Sequence, residues 1–451
     1  MLSLARAEMR ISLDALRDRE FSRLDAQNHA YLDYAGSALY GESQLRAHHV
    51  MLSEGLFGNP HSDSGPSRAS TEIIDAARRR VLQFLDVDES THDVCFTANT
   101  SAAIKLVAES YPFKPQSTFL LSADNHNSVN GIREYARRGG ARVRYIPLDD
   151  ELRLRDAEAM IESESRSGEG LLAFPAQSNF SGVRHPLGLV AKAKSRGFDV
   201  LLDLAAYVPS RAFSLRQCPA DFVAMSFYKL FGYPTGIGAL VLRREALIKL
   251  RRPWFAGGTV LFASVAADTH YPRPRHEGFE DGTPDFLGIA GLDAGFDLLA
   301  EAGMERVSEH VSNLSGMLLD QLRSLRHRNG ASLVKIYGPS NTIDRGGTVA
   351  FNVCDRDGLP LPYALVETRA RQAGVSLRGG CFCNPGASES AFGLDPARIA
   401  ACLTDLGATF TPERFAACTG TAVGAVRASV GLANNRDDMQ RAVEVVASFG
   451  S

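Results

Sequence analysis

Phe198-Asp199-Val200-Leu201-Leu202-Asp203 is a short, mostly apolar run that ends on a carboxylate. It lacks the strict polar alternation of a half-exposed strand, so it reads as a strand buried on both faces, the kind found in parallel sheets covered by helices. Runs of the same kind occur at Val94-Cys95-Phe96, Thr118 to Leu121, Val143 to Ile146, Gly170 to Phe174, Phe222 to Met225 and Ala239 to Leu242. Amphipathic stretches of helix length separate them, which predicts an α/β domain around a mostly parallel, seven-stranded sheet. Outside it, a polar helix is expected over Arg6 to Leu24, and a long helical pattern runs from Gly288 to about Leu325. Strand-like Leu333 to Tyr337 and Thr348 to Val353, a helix near Tyr363 to Ala373 and a further strand before Arg378 suggest a smaller α+β domain. The expected division is an N-terminal segment 1–30, a large domain 31–295 and a small domain 296–451, joined through a long helix rather than a flexible tether.

The bulk composition agrees with two domains. The chain has 451 residues, beyond the roughly 250–300 at which a single core stops growing. A net charge of -3 with interspersed signs leaves no basic stripe for nucleic acid. No window approaches the roughly 20 apolar residues that span a bilayer, and no signal-like start is present, so a cytoplasmic protein is expected. Seven cysteines, scattered singly apart from Cys381 and Cys383, are not a disulfide framework. Reduced thiols are expected.

Several residues sit where chemistry could occur. Ligands of parallel sheets bind at the carboxyl ends of strands, where Asp203 falls; it could equally cap the next turn. Lys229, in Ser226-Phe227-Tyr228-Lys229-Leu230-Phe231-Gly232, follows another buried strand, where partial desolvation would free its amine for a Schiff base; an ordinary surface lysine fits the same position. Thr97-Ala98-Asn99-Thr100-Ser101 opens a helix with small and hydroxylic residues, which suits a phosphate or plain helix capping. His126 and Asn179 each follow a predicted strand, and either could be an ordinary polar loop residue. Arg378-Gly379-Gly380-Cys381-Phe382-Cys383-Asn384-Pro385-Gly386 places two thiols on a loop beside a cation. That favours a nucleophilic thiolate with the mobility to reach a substrate. With one C-x-C pair and no second cluster at ligand spacing, a metal site is not expected.

Taken in order, these residues resemble the class V aminotransferase family of fold-type I pyridoxal-phosphate enzymes, and within it most closely the cysteine desulfurase domain of molybdenum cofactor sulfurases. The likeness spans Tyr31 to about Asn434. It rests on Tyr31-Leu32-Asp33-Tyr34-Ala35-Gly36, Phe57-Gly58-Asn59-Pro60-His61-Ser62, Asp124-Asn125-His126-Asn127-Ser128-Val129, Pro175-Ala176-Gln177-Ser178-Asn179-Phe180-Ser181-Gly182, Gly257-Gly258-Thr259-Val260, the Cys381 loop and Gly424-Ala425-Val426-Arg427-Ala428-Ser429. The resemblance implies that Lys229 binds pyridoxal 5'-phosphate as a Schiff base. Asp203 would pair with the pyridine nitrogen, His126 would stack on the ring and Asn179 would sit near its phenolic oxygen. Thr100, Ser101 and Ser226 would hold the phosphate, and Thr283 would reach the phosphate of a second subunit in a homodimer. Arg427, helped by Arg378, would grip the carboxylate of L-cysteine. Cys383 would take its sulfur as a persulfide, His126 would exchange protons near the substrate thiol, and alanine would leave.

Two positions depart from the family pattern. Ala206 stands where a polar residue is usual, and Tyr228 where a histidine often precedes the lysine. Eukaryotic sulfurases carry a further domain after the desulfurase, so the expected acceptor is a separate protein, a thiolation pathway or a small molecule. The alternative within the family is a C–S lyase, transaminase or epimerase in which Cys383 is not catalytic.

Overall fold

The computed structural model describes residues 11–165 and 169–450. Its strands are β1 (Ala30–Tyr31), β2 (His92–Thr97), β3 (Thr118–Ser122), β4 (Arg142–Ile146), β5 (Gly170–Pro175), β6 (Phe198–Asp203), β7 (Phe222–Ser226), β8 (Gly238–Arg243), β9 (Val260–Ser264), β10 (Thr269–Pro272), β11 (Val334–Tyr337), β12 (Thr348–Val353), β13 (Val375–Ser376), β14 (Arg378–Gly380) and β15 (Ala425–Ser429). All seven apolar runs fall in one sheet of order β2-β8-β7-β6-β5-β3-β4. The β3/β4, β3/β5, β5/β6 and β6/β7 pairs are parallel, and β8 runs antiparallel to both its neighbours. Every residue of β3, β5, β6 and β7 is buried, as strands covered on both faces require. Alternate side chains supply the two apolar layers: Leu172, Phe174, Val200 and Leu202 on one face, Leu171, Ala173, Leu201 and Phe222 on the other. The period of two accounts for this division.

The second sheet is antiparallel, in the order β11-β12-β15-β14. Its core also holds the N-terminal segment: Leu16, Phe21, Leu24 and Leu32 pack with Leu314, Leu318, Phe351 and Val426. β1 pairs in parallel with β13, Ala30 opposite Val375. The two ends of the chain therefore close on each other.

Three expectations change. The pattern from Gly288 to Leu325 forms three helices, Phe286–Ala290, Leu292–Ala302 and Met304–Ser324, rather than one long connector. Gly303 takes φ +76, a left-handed geometry that glycine adopts without a Cβ clash and that stops a right-handed helix. The N-terminal pattern is split into Leu13–Glu20 and Arg23–Ala26, and its residues 6–10 lie outside the described residues. Cys402 and Cys418 are joined as a disulfide, contrary to the expectation of reduced thiols throughout. Their helices, Pro396–Leu406 and Pro412–Thr419, form a hairpin that brings the two Cα atoms to 5.9 Å, a proximity that packing creates and cysteine spacing does not reveal.

Arg17 fastens the N-terminal helix to the last one. It bonds Asp438 at 2.8 Å, and both side chains are almost fully closed to solvent. Asp438 Oδ2 also accepts from Asn434 Nδ2 at 3.0 Å. Removing Asp438 leaves Arg17 paired only with the more exposed Asp25, at 2.7 Å, so Asp438→Ala is expected to cost about 2 kcal/mol, the loss of a hydrogen bond to a charged group. Urea unfolding should show the midpoint falling, and an unchanged midpoint would refute this account of the closure.

Candidate active site

Six strands of the main sheet point their carboxyl ends at one edge, and β8 begins there. Around this edge lies a cavity of about 380 Å³ whose lining includes Thr100, Ser101, His126, Asn179, Asp203, Ser226 and Lys229. Seven candidate side chains from five strand ends therefore share one cavity, the arrangement an open α/β sheet offers to a ligand. Ala206 and Tyr228, the two departures from the family pattern, line it as well. The amide of Gln177 bonds the Ala206 carbonyl at 2.8 Å.

At one end, Asn99 caps the helix Thr100–Ser110 by accepting from the Ala102 N–H. The Thr100 N–H donates to Ser226 Oγ at 2.8 Å, and Thr100 Oγ1 lies 2.5 Å from the same oxygen. Ser101 Oγ lies 2.5 Å from Ser128 Oγ. Four hydroxyls and a helix start thus gather where an anion would be stabilised by N–H groups and the helix dipole. Gly238 permits this approach: a Cβ there would stand 2.6 Å from the Asn99 carbonyl carbon. The capping reading holds at Asn99, and the hydroxyl cluster that the phosphate reading calls for lies directly beside it.

Asp203 is buried, and its Oδ1 accepts from the Ala205 N–H at 2.9 Å. One oxygen thus makes the capping turn while the residue still lines the cavity. Burial pushes the Lys229 amine below its ordinary 10.5; Asp203 opposes this shift, and Arg427 and Arg378 add to it. Burial likewise lowers His126, against the pull of Asp203. His126 Nδ1 accepts from the Ser128 N–H at 3.1 Å.

Arg378, Arg427 and Cys383 lie at the margin, within electrostatic reach of Lys229. Arg427 is buried, bonded to Asp33 at 2.8 Å and to the Asn179 carbonyl at 3.1 Å. Among the described residues its buried Nε has no hydrogen-bond partner. Arg378 is exposed, stands opposite Arg427 in the β14/β15 register and lies 3.8 Å from Asp33. Cys381 and Cys383 are free and exposed, but their loop is held more firmly than a glycine-rich sequence suggests. Asn179 Nδ2 donates to the Phe382 carbonyl at 2.7 Å, and the Asn127 N–H donates to the Cys383 carbonyl at 2.7 Å. The Phe382 ring is buried, 5.4 Å from that of Phe180 and 4.7 Å from the Arg427 guanidinium. Thr283 is exposed and outside the cavity; its hydroxyl accepts from Asn59 Nδ2 at 3.4 Å.

Residue-by-residue reading of the sequence gave no role to Asp33, Ser128, Gln177 or Asn384. Asn384 Nδ2 donates to the Asp124 carbonyl at 2.6 Å and to Asn179 Oδ1 at 2.9 Å, tying the cysteine loop to two strand-end loops. None of the four carries a local signal beyond its place inside a quoted motif or loop.

These residues fit pyridoxal phosphate. The lowered amine can meet an aldehyde, the carboxylate at the strand end can meet a ring nitrogen, and the hydroxyl cluster with its helix start can meet a phosphate. The profile of the family described as Aminotransferase class-V matches residues 30–442. Molybdenum cofactor sulfurase of Arabidopsis thaliana is 35% identical over 98% of this chain and 58% of its own length. The chain thus spans less than two thirds of that relative. The apo cysteine desulfurase of Thermococcus onnurineus superposes with a TM-score of 0.78 at 24% identity, covering 96% of this chain and 97% of its own. A cysteine desulfurase of Escherichia coli gives 0.75 at 24% identity, covering 97% and 98%.

A depressed Lys229 pKa means the neutral amine persists at lower pH than on other lysines. Labelling of Lys229 by an amine-reactive reagent, followed by peptide mass spectrometry, should rise with pH to a midpoint below 10.5. A midpoint at the ordinary lysine value would contradict the burial argument.

Proposed function

The chain belongs to the class-V aminotransferase family, and we propose that within it this protein is a pyridoxal-phosphate-dependent cysteine desulfurase. It would convert L-cysteine to L-alanine, pass the sulfur to Cys383 as a persulfide, and hand it to an acceptor protein or small molecule in the cytoplasm. One observation carries the reading. A lysine with a lowered pKa, a strand-end carboxylate and a hydroxyl-lined helix start share one cavity, and a loop bearing a free, exposed thiol is hydrogen-bonded to the loops at its margin.

Lys229 would hold the cofactor's aldehyde carbon, Asp203 its ring nitrogen, Asn179 its phenolic side, His126 its ring face, and Thr100, Ser101 and Ser226 its phosphate. When bound, the cofactor supplies an electron sink for the bonds around the substrate's Cα. Arg427, positioned by Asp33 and assisted by Arg378, binds the carboxylate of cysteine and so fixes which Cα bond is presented. The Lys229 amine takes the Cα proton. His126 stays neutral at neutral pH because burial lowers its pKa, so its imidazole can accept the proton of the substrate thiol. Cys383 Sγ, as thiolate, then forms a bond to the substrate sulfur. The substrate's Cβ–S bond breaks, its electron pair stays with Cβ, and protonation there gives alanine.

Thr283 would act in the neighbouring subunit of a homodimer. The β9/β10 hairpin supports that assembly: it is exposed along its length, with Leu261, Phe262, Val265 and Tyr271 presented to solvent beside Trp254 and Phe255. Contiguous exposed apolar side chains of this size mark an interaction surface. Light scattering should report a dimer, and Leu261→Asp with Phe262→Asp should shift it to monomer; a monomeric native protein would remove the assigned role of Thr283.

The activity test measures alanine and sulfide released from L-cysteine with a reductant present. Lys229→Ala and Cys383→Ala are each expected to fall to background. If Cys383→Ala keeps its full rate, the thiol is not the sulfur acceptor, and pyruvate and ammonia as products would identify a lyase in its place.

A further inference from the structure

A second cavity, of about 460 Å³, lies behind the wall of the first. The wall is shared. Arg184, on the second cavity, is bridged to Gln177, on the first, and Tyr207 of the second cavity follows directly on Ala206 of the first.

Three guanidinium groups face this space, and they differ in how they are engaged. Arg153 is committed, to Glu151 at 3.1 Å and to the Ile343 carbonyl at 3.0 Å. Arg184 is half-buried, and among the described residues its guanidinium makes no hydrogen bond or ion pair. Arg211 is likewise unpaired among the described residues, and it is close enough to lower the pKa of Arg184 further after burial has done so. Of the carboxylates on the cavity, Asp149 gives Oδ1 to the backbone N–H groups of Glu151 and Arg153. Asp344 acts on Arg184 only at a distance, without an ion pair. Two neighbouring arginines, one half-buried and the other exposed, and neither in an ion pair among the described residues, repel each other until an anion joins them. Guanidinium forks match phosphate oxygens two at a time. The remaining lining is His185, whose Nε2 lies 2.8 Å from the buried Asp124 carboxylate, and apolar or aromatic residues, with Leu187 and Tyr207 on the wall.

We propose that this cavity is a binding site for a small phosphorylated molecule, its phosphate held between Arg184 and Arg211 and its apolar body laid against Leu187 and Tyr207. The site is distinct from the hydroxyl cradle at Thr100, and it does not depend on the desulfurase reading.

The probe is phenyl phosphate, titrated calorimetrically into pyridoxal-phosphate-loaded protein that has been freed of unbound cofactor by gel filtration, so that the first cradle is filled and the second is not, with inorganic phosphate as the second arm. Wild type is expected to bind phenyl phosphate more tightly than inorganic phosphate. Arg184→Ala with Arg211→Ala should weaken binding by at least about ten-fold, the loss of a charge-assisted contact. Neither guanidinium holds the fold together, so the double variant should keep its unfolding midpoint. Thr100→Val, which alters only the other cradle, should bind phenyl phosphate as wild type does. Equal binding by wild type and the double-arginine variant, or no heat in the millimolar range, would overturn the site. Equal affinity for the two phosphates would overturn the assignment of an apolar-bodied ligand.

Discussion

The buried contact of Arg427 with Asp33 joins parts of the chain that are far apart in sequence. Its partners are 394 residues apart, and the same guanidinium also holds the Asn179 carbonyl and lies against the Phe382 ring. Four segments meet there: the residues after β1, strand β15, the loop after β5 and the cysteine loop. Burial acts against the charge and lowers the pKa of Arg427, and Asp33 opposes that shift without cancelling it. Removing Asp33 costs about 3–5 kcal/mol, because the Arg427 charge left behind is buried and has no water to turn to. The pair therefore does more than orient one side chain: it fixes where the second sheet stands over the carboxyl edge of the first.

That edge explains why a few strand ends suffice for a site. In a parallel sheet the loops leave at one side, so Asp203, His126, Asn179 and Lys229 need no long-range contact with each other to converge. Each follows its own strand. The sheet sets the spacing, and β8, entering antiparallel, brings Gly238 close enough to Asn99 to shape the helix start. Residues brought by the other sheet, Arg378 and Arg427, depend instead on the closure of the chain through β1, β13 and the Arg17–Asp438 pair.

The same distinction decides what was legible in the sequence. Apolar runs without alternation gave all seven strands, and the residues at their ends gave most of the cavity lining, because both signals are local. Asp33 was not assigned a role, since a carboxylate whose partner is 394 residues away looks like any loop aspartate. The disulfide was missed for a similar reason: the pairing of Cys402 with Cys418 follows from how two helices fold back. The long helical pattern was overextended because apolar periodicity continues across Gly303, while the backbone at φ +76 does not. Ser128 and Gln177 are polar residues near strand ends that become informative only once neighbouring loops are seen side by side.

The cysteine loop shows the limit of inferring mobility from composition. Phe382 and Cys383 both lie in the left-handed region, at φ 56 and 55, which costs about 1–3 kcal/mol for each such non-glycine residue. Two carbonyl hydrogen bonds and the burial of the Phe382 ring offset that strain. Swinging the whole loop outward would expose the ring, a loss of about 2 kcal/mol that leaves only a few per cent of molecules open. Rotation about the Cys383 side chain costs far less, and it leaves both carbonyl anchors and the β14/β15 ladder, which runs to Gly380, in place. A loop built this way holds its thiol within electrostatic reach of Lys229 in most molecules, so the motion that the proposed sulfur transfer calls for falls on one side chain rather than on the backbone.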